Sequence, residues 1–130
     1  KINSSANKTL MKTLGIEIVD ISERCVYGKM PVDERTVQPF GLLHGGASVA
    51  LAESLGSIAG NMHVYDKGEV VVGVEINANH LKSVKSGWVY GQASPIRIGK
   101  KIQVWDIQIT NDAKELVCVS RLTVAAIKRI

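Results

Sequence analysis

The feature that most constrains the fold of this chain is the segment 46–62, seventeen residues that are small or apolar on nearly every side. At about 1.5 Å per residue, a helix of this length is on the order of 25 Å long, enough to cross a small domain. A helix that is apolar all round belongs inside a protein, because no face of it favours contact with water. The segment therefore predicts one long, buried central helix.

Strand patterns lie on both sides of this helix. The clearest is the alternation of apolar with other residues through 70–79. Further strands are predicted at 16–21, 25–32, 87–98, 101–110 and 116–127, with a short helix at 9–14. The alternation changes parity at Trp105 and Asp106, which predicts a β-bulge at that point.

This order of elements predicts an α+β fold in which an antiparallel sheet of five to six strands curls around the central helix. At 130 residues, the chain has the usual size of one domain, so residues 1–130 are expected to form a single unit. One sheet covers only part of so apolar a helix, and the uncovered surface predicts at least a dimer.

Composition excludes several classes of function. The net charge is +4 and only 5% of residues are aromatic, so a phosphate-bearing small molecule is a better partner than nucleic acid. No apolar stretch reaches about 18 residues and no secretory signal is visible, which excludes a membrane partner and favours the cytoplasm. Cys25 and Cys118 are expected to be buried reduced thiols. The spacing of His44, His63 and His80 predicts no metal site.

Glu53 is the only acidic residue between Arg35 and Asp66, and it falls in the middle of the apolar helix. An unpaired carboxylate in a low dielectric costs several kcal/mol or has a raised pKa. Such groups are therefore often paired, face a wet cleft, or take part in chemistry. Two structural alternatives stay open, in which Glu53 turns to solvent or pairs with a lysine.

The sequence before the helix, Gln38-Pro-Phe-Gly-Leu-Leu-His-Gly-Gly46, suggests an anion site. Two glycines leave the first amides of a helix uncovered, and such amides stabilise the negative oxygen formed when a carbonyl is attacked. Gln38 and His44 are placed to orient that carbonyl or a water molecule. A simple Gly-Gly turn is the structural alternative.

The spacing between these two features has a consequence for assembly. Gly45 and Glu53 are eight residues apart, about 12 Å along one helix, whereas reacting atoms must approach within about 3.5 Å. If both groups act on one carbonyl, the carboxylate must come from a second copy of the chain.

The run QPFGLLHGGASVALAESLGS, residues 38–57, closely resembles the signature of hotdog-fold thioesterases of the phenylacetate-degradation type. The runs VVGVEINANHLKSV at 71–84, IQVWDI and SRLTVA also look like members that hydrolyse 1,4-dihydroxy-2-naphthoyl-coenzyme A or related aryl thioesters. The resemblance implies a hotdog fold and the hydrolysis of an acyl-coenzyme A (acyl-CoA) substrate without a cofactor. It also implies a homodimer as the minimal unit, commonly paired into a homotetramer.

Carried over to this chain, the resemblance implies roles for individual residues. Glu53 would be the nucleophile or general base, the Gly45 amide would polarise the thioester carbonyl, and Gln38 and His44 would line the same pocket. Ser57 would help to hold the water or the acyl group. Contacts to coenzyme A are implied for two short segments and one glycine: Gly73; His80, Leu81, Lys82 and Ser83; Arg97, Ile98, Gly99, Lys100, Lys101 and Ile102. Without the resemblance, a solvated basic face is the preferred interpretation of these lysines and arginines.

Three functional questions stay open at this point. Hotdog dehydratases or hydratases also combine a histidine with a carboxylate near the central helix, and a non-catalytic acyl-CoA binding protein would keep the same fold. Glu53 could attack the carbonyl to form a mixed anhydride or remove a proton from water. The acyl preference is equally open, with Phe40, Met62, Val64 and Tyr65 as plausible liners for a ring.

Overall fold

The computed structural model describes residues 8–130, in which two α-helices and six β-strands follow one another in the predicted order. The helices are α1 (Leu10–Leu14) and α2 (Gly45–Met62), and the strands are β1 (Glu17–Ile21), β2 (Val26–Pro31), β3 (Glu69–His80), β4 (Trp88–Ile98), β5 (Ile102–Asn111) and β6 (Leu116–Lys128). Each of these elements begins and ends within one residue of its predicted bounds. Periodicity, together with turn residues such as Gly15, therefore located them.

The six strands form one antiparallel sheet in the order β1-β2-β4-β5-β6-β3. Helix α2 packs against the concave side of this sheet and shares its hydrophobic core. Leu55 is fully buried where the helix crosses Gly28 and Gly91, and a Cβ atom at either glycine would lie 2.6 Å from a Leu55 methyl group. The missing side chains therefore let the helix approach the sheet closely. The predicted sheet wrapped around a central helix, the hotdog architecture, is confirmed.

In a single chain, α2 is buried on one face only, as expected for a helix that one sheet covers in part. The buried face contains Ala47, Ser48, Leu51, Ala52, Leu55, Gly56, Ala59 and Gly60. Val49, Ala50 and Ile58 lie on the other side and are partly exposed. The reason is geometric, because one curved sheet can cover only one side of a helix. No helix in the described part of the chain is long and apolar enough to cross a membrane.

The predicted bulge at Trp105 and Asp106 is also misplaced. Strand β5 alternates regularly, with Gln103, Trp105, Ile107 and Ile109 buried. Gln103 belongs to the core because its Oε1 accepts a 2.8 Å hydrogen bond from Trp105 Nε1. The register shifts occur instead at Ile96 of β4 and Val117 of β6, the two neighbours of β5, and also at Val74 of β3 and Val19 of β1.

Both cysteines are free, but only one of them is buried as expected. Cys118 lies in the core, where burial raises the pKa of its thiol. Cys25 precedes β2 at the end of a turn and is partly exposed, so the expectation of a buried thiol is wrong there. Its Sγ lies 3.6 Å from Ser94 Oγ, on the outer side of the sheet.

Candidate active site

A rigid turn precedes α2 and fixes the orientation of Gln38. The Gln38 amide donates to Leu42 O and the Gly41 amide donates to Gln38 O, both at 2.8 Å. Gly41 adopts φ +82°, a left-handed conformation that favours glycine. Gln38 Oε1 accepts a 2.5 Å hydrogen bond from the Phe40 amide. Since its oxygen is used in the turn, Gln38 presents its NH₂ group, a donor, to any ligand.

His44 is the N-cap of α2, and it accepts hydrogen bonds from three of the four amides in the first turn of the helix. Its Nδ1 accepts a 2.7 Å hydrogen bond from Gly46 N. The amides of Ala47 and Ser48 donate to His44 O at 3.0 and 3.2 Å. Within residues 8–130, the Gly45 amide is then the one first-turn donor for which no acceptor is recorded. A ligand oxygen at the start of α2 therefore meets the Gly45 amide.

A cavity of about 350 Å³ opens at this amide and contains many of the predicted site residues. Its lining includes Gln38, Gly45, His80, Leu81, Lys82 and Ser83, together with Ser48 and Val117. A Cβ atom at position 45 would lie 2.9 Å from His80 Nε2. Gly45 is therefore needed for space, because any side chain there would displace the His80 ring.

His44 does not line this cavity, although the sequence predicts one shared pocket. It lines a second cavity of about 260 Å³ on the other side of the helix start, together with Leu10, Leu14, Val37 and Ala50 among others. The physical reason is the cap itself, since the bond from Gly46 N holds the imidazole against the first turn. With Nδ1 accepting, a neutral His44 carries its proton on Nε2.

Glu53 lies on the partly exposed face of α2, over the bulge of β3. Its carboxylate packs against Gly73, and a Cβ atom at position 73 would overlap Glu53 Oε2. No ion pair or hydrogen bond of Glu53 is recorded within the described residues, so the alternative in which it pairs with a lysine is not observed there. Ser57 follows one turn later on the same face and is also partly exposed.

One chain does not bring Glu53 to the Gly45 cavity. The carboxylate is absent from the lining of that cavity, and eight residues of helix separate the two positions by about 12 Å. The geometry of the single chain therefore agrees with the deduction that, if both groups act on one carbonyl, Glu53 must come from a second copy of the chain.

The two segments expected to contact coenzyme A are likewise far apart in one chain. His80 pairs with Cys118 of β6, whereas Ile102 pairs with Ala125. Seven residues of strand separate these partners, about 23 Å at 3.3 Å per residue. The hairpin that carries Arg97, Lys100 and Lys101 thus lies at the opposite end of the sheet from the Gly45 cavity. Lys82 Nζ lies 3.7 Å from Glu115 Oε2 at the cavity end.

Sequence reasoning missed Leu42, Leu43, Ser48 and Val117 of the cavity lining, and the residues expected to line the acyl site lie outside both cavities. Ser48 is 1% exposed and lines the cavity beside Gly45, which its position three residues along the same helix could have indicated. Of the proposed ring liners, Val64 is a core residue, while Phe40 is 88% exposed. Neither they nor Met62 and Tyr65 line the two cavities.

His63 lies beyond the end of α2, outside both cavities. Its ring centroid is 5.7 Å from that of Trp105, and its Nε2 is enclosed without a hydrogen-bond partner in the described residues. Burial, with Arg24 and Lys67 nearby, lowers the pKa of His63. Across residues 8–130, no three His, Cys, Asp or Glu side chains are grouped to hold a metal ion.

Comparisons with known proteins place these features in context. The family model described as Thioesterase superfamily matches residues 40–118. The 1,4-dihydroxy-2-naphthoyl-CoA hydrolase of Escherichia coli is 47% identical over 125 residues, covering 95% of this chain and 90% of that protein. The proofreading thioesterase EntH of Cronobacter turicensis is 46% identical over 124 residues, covering 95% and 90%. The crystal structure of a thioesterase from Haemophilus influenzae, 50% identical, superimposes with a TM-score of 0.94 over 98% of this chain and 88% of that one.

Proposed function

This chain belongs to the thioesterase superfamily and is a thioesterase, and from that premise we propose that it hydrolyses an aromatic acyl-CoA to the free acid and coenzyme A. The reaction adds water across the bond between the acyl carbon and sulfur. We propose that no metal ion takes part, with Glu53 as nucleophile or general base and the Gly45 amide as oxyanion donor. The observation that carries this proposal is the free Gly45 amide at a cavity lined by Gln38 and His80.

The proposed site is shared between two copies of the chain. Two α2 helices packed antiparallel about a two-fold axis near Val49, the midpoint of 45 and 53, would set each Glu53 beside the other copy's Gly45. Val49 and Ala50 leave a small, partly exposed apolar surface at that point. The adjacent edge strand β3 exposes Val72 and Val74 by 42% and 59%. These surfaces support a dimer, and we propose a homotetramer of two such dimers.

In this site, the thioester carbonyl oxygen accepts a hydrogen bond from the Gly45 amide, which favours attack at the carbon. On one route, Glu53 attacks and expels the coenzyme A thiolate, leaving a mixed anhydride that water then cleaves. On the other, Glu53 takes a proton from water as it adds, and the tetrahedral intermediate expels the thiolate. The NH₂ group of Gln38 can orient the carbonyl or the water. Ser57, one turn from Glu53, would hold the water or acyl group from the carboxylate's side.

Sharing the site also unites the coenzyme A contacts. The subunit that supplies Gly45 offers Lys82 and Ser83 at the cavity. The partner that supplies Glu53 carries Gly73 beside the carboxylate, and its Arg97–Lys101 hairpin lies toward the same end of its sheet, since Gly73 and Gln103 both pair with Val124. Long cations on both sides suit the phosphates of coenzyme A, whereas the two clusters lie about 23 Å apart in one chain.

Two further parts of the proposal concern substrate and location. The Escherichia coli relative acts on a naphthoyl thioester, and the apolar cavity beside His44 offers a place for a ring, which favours an aromatic acyl group and the phenylacetate-degradation type. Both cysteines are free thiols, as is usual in a reducing compartment, and we propose the cytoplasm as the site of action.

The test is a panel of acetyl-, octanoyl-, benzoyl- and naphthoyl-CoA, with release of free thiol and of free acid measured together. The proposal expects both products in equal amounts, with the aryl substrates turned over fastest. Hydration of an enoyl-CoA without thiol release would favour a hydratase, and binding without turnover would favour a non-catalytic protein. Single-turnover reaction in ¹⁸O-water separates the two routes, because only the anhydride route places label in the Glu53 carboxylate.

A further inference from the structure

We propose that the hydroxyl of Ser48 is a second donor to the thioester carbonyl oxygen, acting beside the Gly45 amide. This inference rests on the proposed function and adds a catalytic residue to it. Ser48 lies in the first turn of α2, three residues after Gly45, and is 1% exposed. It lines the same cavity as Gly45, Gln38 and His80.

The side chain of Ser48 is directed at that cavity for a reason intrinsic to helices. Each Cα–Cβ bond tilts toward the N-terminus, so a side chain covers the turn before its own residue. For Ser48 that turn begins at Gly45, which has no side chain to block the approach. The hydroxyl therefore opens into the space in front of the Gly45 amide.

Buried serine hydroxyls in helices commonly donate to the carbonyl four residues earlier. In α2 that carbonyl belongs to His44, and it already accepts hydrogen bonds from the Ala47 and Ser48 amides. Within residues 8–130, the Ser48 hydroxyl has no recorded hydrogen bond, whereas the hydroxyl of the similarly buried Ser120 donates to Asn77 O at 2.8 Å. Since Ser48 lines the cavity, its hydroxyl is available to hydrogen-bond a ligand or water there.

The first turn also leaves a place for such a donor. A carbonyl oxygen that becomes an oxyanion accepts at least two hydrogen bonds, and oxyanion sites usually supply two donors. Here the Gly46 amide is taken by His44 Nδ1, and the Ala47 and Ser48 amides by His44 O. The Gly45 amide is the remaining backbone donor of this turn. The Ser48 hydroxyl, on the same side, completes the pair.

The test compares Ser48→Ala with Ser120→Ala, a matched change that removes a similarly buried hydroxyl outside the cavity lining. Alanine favours the helix, so Ser48→Ala is expected to stay folded; Ser48→Cys keeps the volume and replaces a strong donor by a weak one. For both Ser48 variants, kcat for an aryl-CoA should fall tenfold or more, while KM and the Kd of free coenzyme A change less than threefold. Ser120→Ala should lower the melting temperature and leave kcat within about twofold.

Two results would overturn the proposal for Ser48. One is wild-type turnover by both Ser48 variants. The other is a loss of coenzyme A affinity that matches the loss of kcat, which would mean that Ser48 only shapes the cavity. If the wild-type protein releases thiol and Glu53→Ala abolishes it, such results leave the proposed function intact. If the wild-type protein releases no thiol from any thioester of the panel, the proposed function itself fails.

Discussion

The two faces of α2 have opposite properties, although one short segment of sequence encodes both. The inner face carries small residues and two leucines, packs against Gly28 and Gly91, and is enclosed by the sheet. The outer face carries Glu53, Ser57 and Val49, and stays partly open in a single chain. The comparison shows that the inner face beyond Ser48 serves stability, while in the proposed dimer the outer face is covered by a second copy of the chain.

The largest expected effect comes from the outer face. Glu53→Gln should lower kcat/KM for an aryl-CoA at least about a hundredfold, because it removes the proposed nucleophile or general base. The melting temperature should be unchanged or higher, since an unpaired, half-buried charge is lost. Glu17→Gln, on the far edge strand, is the matched control and should behave as wild type. A folded Glu53→Gln protein with wild-type turnover would remove Glu53 from the mechanism.

A substitution at Leu55 on the inner face should lower stability and leave activity nearly unchanged. Leu55→Ala leaves a cavity between α2 and the glycines of β2 and β4, so the free energy of unfolding should fall by about 2–5 kcal/mol. At a temperature where the variant is folded, kcat should change no more than a few-fold. Urea unfolding and thiol release on the same preparation test this. A large loss of kcat with unchanged stability would mean that the two faces are not functionally separate.

Gly73 tests the difference between the two faces of α2 more finely, because it belongs to strand β3 but contacts Glu53 on the outer face of the helix. Gly73→Ala places a methyl group where Glu53 Oε2 now lies, and we expect the displaced carboxylate to lower kcat about tenfold. In a Glu53→Gln background, the same change should have little additional effect, since its target group is already lost. Equal, additive losses in both backgrounds would show that Gly73 acts independently of Glu53.

The smallest effect concerns His63, just past the end of α2. Burial lowers its pKa in the folded state, so the unfolded chain binds a proton more readily than the folded one. Stability should therefore fall as the pH drops from above the unfolded pKa, about 6.5, through the lower pKa of the folded state. The difference in unfolding free energy between wild type and His63→Phe should shrink or reverse over that range. Parallel pH profiles for the two proteins would show that His63 does not titrate differently on folding.

The sequence predicts the parts of the fold that depend on local periodicity better than those that depend on contacts between distant side chains. Strand alternation and the apolar run at 46–62 located the six strands and α2, because local periodicity reflects burial. In β5 the alternation was assigned wrongly around Gln103, because polar residues are expected on the exposed face. Gln103 is instead buried, where its side chain accepts a hydrogen bond from Trp105 Nε1. The bulge at Val74 has no local signal, because valine suits either face of a strand.

The sequence predicted those parts of the candidate site in which a motif fixes the backbone. It did not predict the parts that depend on which group a side chain hydrogen-bonds. The glycines before the helix indicated the free amide at Gly45. The capping bond of His44 decides which cavity its ring lines, and this depends on a hydrogen bond that spacing does not reveal. The proposed dimer contact on the outer face of α2 involves a second copy of the chain, and one sequence indicates such a contact only through its uncovered apolar surface.

The measurement that tests the central claim most directly is complementation between two inactive variants. Glu53→Gln and Gly45→Val, which would displace His80, are each expected to be inactive. Unfolding both together and refolding the mixture gives dimers in which a heterodimer contains one site with intact Gly45 and intact Glu53. If the site is shared between subunits, activity should return to about a quarter of the wild-type level. Recovery of no activity from well-folded mixed dimers would contradict the shared site.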